Sequence, residues 1–464
     1  MELFTPVSFI NILKSKNLFL VITLSCVVTL LFAQKQAPTN TKLPTNKKEI
    51  SADVATDWAK MTLFILKNTP KGTPTYNSRT LGYMGLTMYE SVVNGQSDKQ
   101  SLLGQLSDFN RLPAIPSKKI NWILSLNAGQ AYMLKHLFEH TSKENLLKID
   151  SFERYIYSGT QIGNEEIKIA SVNYGKSVAE TIFEWSKTDG GYQGCLRNFD
   201  SSYVAPHGKG YWTAPPKGQS TSLLPLHPHW GENRTFLPSN KLPIPEMISF
   251  DYEKESAYYK EMKAVYDKAY TLTQGEKETA NWWGDDPGYT FSPPGHSYNL
   301  ATIAIRTEKP NLFKAAETYA RVGMAVADAF VNCWKCKYKY NAERPAAFIY
   351  YNISTLWPLY WPEPPFPAFY SGHAGQAAAT ATVLTELYGG QFRFIDDTHV
   401  GREKDEEHQV EYKARDFHSF WEAAEETAKS RFYGGIHTKQ DNEVGLAEGK
   451  KIGTNINALK WSLR

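Results

Sequence analysis

FPAFYSGHAGQAAATATVLTELYGG, residues 366–390, contains the start, body and end of one helix, and the rest of the fold is built around it. Ala374 to Leu387 is alanine-rich, the composition that costs least in a helix, and Gly389-Gly390 follows where glycine ends helices. Ser371 stands at the N-cap position. The first-turn N–H groups, that of Gly372 among them, are then free donors at a positive dipole end, which is a ready anion site. His373 lies in the same turn. The dipole disfavours its imidazolium form and a bound anion favours it, so the ring can exchange a proton near neutral pH.

Moving upstream, Tyr319, Val322, Val326, Phe330 and Cys333 form one helical stripe, and Lys337 falls on it seven residues after Phe330. A lysine there must be paired or must line a cavity. Arg344 lies seven further on, returning to nearly the same side. Pro345 disfavours helix at Arg344, so this arginine is expected to cap the segment and point inward. Downstream, Arg431 extends the stripe Phe417, Phe420, Ala424, Thr427. Gly434-Gly435 then breaks the helix, and His437 and Asp441, four apart, are expected on one face of the next helix, where the carboxylate orients the ring. Three inward cations, an anion-binding helix start and two histidines describe a pocket for a compact, highly charged oxyanion.

The rest of the chain reads as helices too. Val54, Trp58, Met61 and Ile65 recur at helical spacing up to Asn68-Thr69-Pro70, and similar stripes follow near 79–94, 120–139 and 162–187. From about 188 to 250 Gly, Pro, Trp, His and Ser dominate without a period, which marks a long irregular excursion. Helical patterns resume at 253–270 and continue to the C-terminus, broken by proline-rich runs at 287–295 and 357–367. The expectation is an all-α protein of two packed helical bundles with long irregular loops, an N-terminal bundle at 51–250 and a C-terminal one at 251–464 that holds the site.

Composition narrows the function further. The 464 residues are 42% apolar and 21% charged, an ordinary globular balance, and a net charge of +3 with dispersed Lys and Arg argues against nucleic acid as partner. Lys14, Lys16 and the apolar run Leu18 to Phe32, ending at Ala33, read as a secretory signal (residues 1–33) followed by a polar linker (34–50). The mature chain is then exported, periplasmic or extracellular, without a membrane span; a lipid anchor on Cys26 is the lesser alternative, because that cysteine lies inside the apolar run. Cys195, Cys333 and Cys336 are too few for a disulfide framework. Cys333 and Cys336 have C-x-x-C spacing without a second pair and read as helix packing, a local disulfide being the alternative. His227-Pro228-His229 reads as loop rather than metal site. A serine hydrolase is disfavoured, since Ser371 lacks the glycine two residues before it that a nucleophile elbow needs.

Lys337-x6-Arg344-Pro345, Ser371-Gly372-His373 and Ser430-Arg431-x5-His437-x3-Asp441 together resemble the three-part signature of the vanadium-dependent haloperoxidases and type 2 phosphatidic acid phosphatases, over residues 280–455. Trp334 and Phe366 match residues on the halide side of the haloperoxidase pocket, and Trp283-Gly284-Asp285-Asp286 and Pro293-Pro294-Gly295-His296 look like the bacterial, secreted members. Tyr370 departs from the pattern, in which proline usually precedes the serine. The resemblance implies vanadate as cofactor, with phosphate able to occupy the same site. It implies that His437 bonds vanadium and that Lys337, Arg344, Arg431, Ser371 and the Gly372 N–H bind the oxygens. His373 would handle a proton on the cofactor, and Lys337 would polarise bound peroxide for attack by halide, iodide or bromide, with a small organic acceptor taking up the oxidised halogen. Asp285, Asp286 and His296 are candidates for the pocket edge. The alternative within the same superfamily is a soluble acid phosphatase, with His437 as nucleophile and His373 as the acid.

Overall fold

The computed structural model describes residues 50–215, 218–286 and 288–463. The segment read as a signal and all of the linker but Ile50 lie outside them. Thirteen α-helices and one two-stranded antiparallel sheet are the regular elements among the described residues, so the all-α class holds.

Five helices come first: α1 (Asp53–Lys67), α2 (Pro74–Glu90), α3 (Trp122–Leu137), α4 (Lys143–Gly159) and α5 (Glu165–Ser186). Polar caps start most of them. Thr73 accepts from the Tyr76 N–H ahead of α2, with Pro74 in the first turn, and Asn121, Ser142 and Asn164 cap α3, α4 and α5 in the same way. Helix α4 has no legible stripe because it buries only Asn145 and Ile149. Between α5 and residue 256 the described residues make nothing longer than three-residue 3-10 turns, as the composition implied. His227 anchors this excursion, its Nδ1 2.5 Å from Thr75 Oγ1 and its Nε2 3.0 Å from the Gly194 carbonyl. With both ring nitrogens engaged it offers no lone pair to a metal.

Eight helices follow: α6 (Ala257–Ala269), α7 (Gln274–Trp282), α8 (Ser292–Glu308), α9 (Leu312–Tyr340), α10 (Pro345–Asn352), α11 (Gly372–Tyr388), α12 (Phe420–Tyr433) and α13 (Lys439–Asn457). Strands β1 (Phe394–Asp396) and β2 (Arg415–Phe417) pair between α11 and α12. Helix α8 starts inside a proline run that reads as a break. Pro293 and Pro294 occupy its first turn, where a missing N–H costs nothing, so the run initiates a helix.

Two close helix contacts set the frame of the site. Helix α2 lies along α9, and a side-chain carbon on Gly85 would fall 2.3 Å from the Tyr319 carbonyl oxygen. Helix α13 lies along α11 in the same manner: a Cβ on Gly449 would stand 2.1 Å from the Gly375 carbonyl oxygen. Absent side chains therefore let the α11 and α13 backbones touch, which brings the start of α11, with Ser371 to His373, against the start of α13. One hydrophobic cluster runs from Ala52 to Trp461, and a smaller one joins α6 and α10 through Tyr258, Met262 and Phe348. Cys195, Cys333 and Cys336 are buried free thiols, so the C-x-x-C pair packs a helix and is not a disulfide.

Candidate oxyanion site

Four chain segments bring the predicted residues together. Lys337 comes from the last turn of α9, where it is fully buried and donates to the carbonyls of Pro367 (2.9 Å) and Ala368 (2.7 Å). Arg344 donates from Nε to the Phe366 carbonyl (2.8 Å) and from Nη1 to that of Ile436 (2.9 Å), with a longer contact from Nη2 to Pro367. Arg431, from the last turn of α12, donates from Nη1 to the Trp283 carbonyl at 2.5 Å. Ser371 caps α11 by accepting from the Ala374 N–H, and its own N–H donates to the Asp441 carbonyl at 3.0 Å. That bond forms with Tyr370 in the place of proline, so the serine turn does not need the ring. The Gly372 N–H has no protein acceptor among the described residues.

His437 and Asp441 are joined by a 2.8 Å hydrogen bond from Nδ1 to Oδ2. The carboxylate also accepts from the Thr438 N–H while the Thr438 hydroxyl accepts from the Asp441 N–H, which makes Asp441 the third residue of a capping box. Since Nδ1 is the donor, Nε2 carries the ring's lone pair and has no partner among the described residues. A cavity of about 400 Å³ receives these groups. Gly372, His373, Arg431 and His437 form its polar end, Phe330, Trp334 and Phe366 its aromatic wall, and Asp285 and Asp286 a third side. Lys337, Arg344 and Ser371 stand behind that lining. The Lys337 Nζ is 5.3 Å and the Arg344 Cζ 5.0 Å from the centre of the Phe366 ring, itself 4.9 Å from that of Trp334.

Electrostatics shows what the cavity lacks. Lys337, Arg344 and Arg431 are 0%, 1% and 3% exposed, and none of them makes a salt bridge among the described residues. Burial lowers the pKa of all three, Lys337 to about 8, Arg344 to about 10 and Arg431 to about 9. Three buried cations that hydrogen-bond only to carbonyls and have no carboxylate in contact leave uncompensated part of the several kcal/mol that burying an ion costs. They also retain unused donors: one N–H on Lys337, two on Arg344 and four on Arg431, whose Nε is buried and unpartnered. Burial and then the three cations hold His437 well below the usual histidine range, so its ring stays neutral. His373 is lowered likewise, by burial and then Arg431, and its Nε2 is a buried atom without a partner among the described residues. Burial lifts Asp441 to about 6. A tetrahedral oxyanion matches this donor set. It would supply the missing negative charge, take up the free N–H groups and meet a neutral imidazole nitrogen.

Two local expectations need correction. Helix α9 ends at Tyr340, with Asn341 in the left-handed region at φ 46°, so Arg344 does not cap the segment carrying Lys337; it stands at the N-cap position of α10. His437 is not on α13 but precedes its N-cap, Thr438, because Gly435 at φ 77° turns the chain first. Asp441 reaches back from the helix to meet it. Two neighbours of the site had no signal in spacing: Trp361, whose ring centre lies 4.3 Å from the Arg431 Cζ, and the Trp283 backbone carbonyl.

Comparison with known proteins places the fold. Residues 353–462 match the family described as the VCPO second helical-bundle domain. The crystal structure of a bacterial vanadium-dependent iodoperoxidase superposes with a TM-score of 0.79 at 29% identity, covering 90% of this chain and 99% of that one. A holo-type bacterial vanadium-dependent chloroperoxidase superposes with a TM-score of 0.66 at 15% identity, over 89% of this chain and 98% of that one. The apo-type chloroperoxidase structure gives 0.64 at 14%, over 83% and 94%. At those identities the chloroperoxidases share the fold alone. No curated protein sequence matches significantly.

Proposed function

We propose that this chain, an enzyme of the vanadium haloperoxidase type by fold and by the family its C-terminal part matches, binds vanadate and oxidises halide with hydrogen peroxide, iodide most readily. The observation that carries the reading is the convergence of three buried cations without carboxylate partners on one neutral imidazole, itself aligned by Asp441.

When bound, vanadate supplies a Lewis acid that activates peroxide toward nucleophilic halide without changing its own oxidation state. The protein supplies charge, alignment and proton handling. Lys337, Arg344 and Arg431 neutralise the oxyanion with donors already in place, so little reorganisation is needed when charge develops. Ser371 and the Gly372 N–H add neutral donors at the positive end of α11. His437 offers Nε2, because Asp441 fixes the tautomer through Nδ1. His373 holds or passes a proton at Nε2; burial and Arg431 keep it neutral until an anion's charge offsets them. Phe330, Trp334 and Phe366 make the wall beside the cations polarisable and apolar, which suits a large, weakly hydrated halide. Iodide is the easiest halide to oxidise, and a bacterial iodoperoxidase superposes on this chain at 29% identity. The aromatic cavity also admits a small organic acceptor. Export from the cytoplasm belongs to the same proposal, with Gln34 as the mature N-terminus.

The test is to strip the protein of metal, add orthovanadate, and follow iodide and bromide oxidation alongside hydrolysis of p-nitrophenyl phosphate. Vanadate-dependent iodide oxidation that disappears in His437→Ala is the expected result. Phosphatase activity inhibited by vanadate, without halide oxidation, would overturn it in favour of an acid phosphatase.

A further inference from the structure

Behind His373 and Arg431 lies a second buried cluster that the reaction as described does not use. Asp396, at the end of β1, accepts from His296 Nε2 at 2.8 Å and from the Trp282 indole N–H at 2.8 Å. The other nitrogen of His296, Nδ1, lies 2.8 Å from Asp285 Oδ2, and Asp285 Oδ1 lies 3.0 Å from His399 Nε2. All five side chains are buried. The Trp283 indole stacks on the His296 ring, with centres 4.5 Å apart, and the carbonyl of Trp283 is the acceptor for Arg431. Asp285 also lines the oxyanion cavity, and together with His296, His373 and Gln376 it borders a void of about 10 Å³, the room of one water. His373 Nε2 and Gln376 Oε1 are both buried without partners.

Asp285, His296 and His399 present ligand atoms within 4.8 Å of one another, which meets the spacing of a cation site. Hydrogen-bond stoichiometry decides against that. A carboxylate accepts and does not donate, so a ring with a carboxylate oxygen on each nitrogen must carry a proton on both. Such a ring is an imidazolium and has no lone pair for a metal. The two carboxylates outweigh the effect of burial on His296, pushing it up to about 10. With His399 neutral and donating, the four groups sum to one negative charge fixed beside the cations.

We infer that His296 is a positioning residue, a permanent imidazolium clamped between Asp285 and Asp396 that holds the Asp285 carboxylate at the edge of the oxyanion cavity, its oxygens turned to His296 and His399, and, through Trp283, seats Arg431. Without His296, Asp285 loses the partner that orients it and the cluster gains negative charge next to the anion. Both changes weaken oxyanion binding. The affinity effect rests on the oxyanion reading above; the protonation state of His296 does not.

Two measurements test this. In protein labelled with nitrogen-15 histidine, one ring should keep the signature of a doubly protonated imidazolium at pH 9, where exposed histidines are neutral, and should keep it after addition of zinc. Orthovanadate binding to metal-free protein, by equilibrium dialysis, should weaken about 10–100-fold in His296→Gln, the range for residues that orient a metal's ligands. Wild-type binding with an unchanged affinity in folded His296→Gln overturns the inference. So does the absence of the imidazolium signal, or its loss on adding zinc, a result that needs no variant to fold. Absence of vanadate binding in the wild type, with the imidazolium present, instead refutes the oxyanion reading and leaves the clamp standing.

Discussion

Removing the Trp361 indole should weaken oxyanion binding although Trp361 is not among the residues lining the cavity. The ring centre sits 4.3 Å from the Arg431 guanidinium carbon, and Arg431 is 3% exposed. A cation–π contact this desolvated is worth about 2 kcal/mol, against about 0.5–1 at an exposed site. The indole also holds a long side chain in place before the anion arrives, so rotamer entropy of up to about 2 kcal/mol is not spent on binding. Allowing for water that enters the vacated space, Trp361→Leu should lose about 1.5–2 kcal/mol, or about 10–30-fold in affinity. Trp361→Phe keeps a ring face and should lose only about 3-fold, under 1 kcal/mol, as at an exposed site. Gly434→Ala gives an independent check. Gly434 has an ordinary φ of −70°, which alanine adopts without strain, yet a Cβ there would stand 2.0 Å from Trp361 Cε3 and push the indole off the guanidinium. It should copy Trp361→Leu without altering either partner. The assay is calorimetric titration of metal-free protein with orthovanadate, with circular dichroism as the folding control. Wild-type affinity in both Trp361→Leu and Gly434→Ala, or equal losses in the Leu and Phe variants, would show that the indole does not hold Arg431 for the anion.

Asp441→Ala frees His437 Nδ1 and removes a capping-box acceptor, so vanadate affinity should fall about 10–100-fold and stability by about 1 kcal/mol; dialysis and denaturant titration read the two separately. Gly449→Ala forces a methyl toward the Gly375 carbonyl, and overpacking of this kind costs about 1–3 kcal/mol; its thermal midpoint should drop and its vanadate affinity with it, because the starts of α11 and α13 move apart. The pH dependence of stability should carry the mark of His296. Its folded pKa of about 10 is raised above the unfolded value, so the stability it contributes is complete below about pH 6.5 and lost as pH rises through 10. The thermal midpoints of wild type and His296→Gln should therefore converge between pH 7 and 10, and a gap that stays constant would exclude the clamped imidazolium.

Much of the fold was legible because its decisive signals are local. The alanine run after Ser371 and the closing glycine pair define α11 from composition alone, and the stripe ending in Lys337 marks α9 as buried along one side. Helix α4 escaped, since a helix that buries two side chains leaves no stripe, and α8 was hidden by prolines that start it. At the site, the cations were legible as charged residues at core positions of apolar patterns, His373 by its place in the first turn after Ser371 and His437 by the glycine break before it. Trp361, Asp396 and His399 were not. Their roles depend on contacts across 70 to more than 100 residues of chain, to Arg431 for Trp361 and to His296 and Asp285 for the other two, and nothing in the sequence around each residue records such a contact. The geometry of His437 was missed for a smaller reason: a four-residue spacing suits a helix face and equally a capping aspartate that reaches back over its own N-cap.

Asp441 touches both halves of the site. Its main-chain carbonyl receives the Ser371 N–H, and its carboxylate receives the His437 ring. The spacing between the neutral donor floor and the nitrogen that faces it is thus fixed within one amino acid, at the butt joint of two helices whose backbones touch. Fraying of the outer helices on warming leaves that gauge untouched, so heat should abolish activity in one step, together with the melting of α11 and α13, and not by gradual leakage of the cofactor.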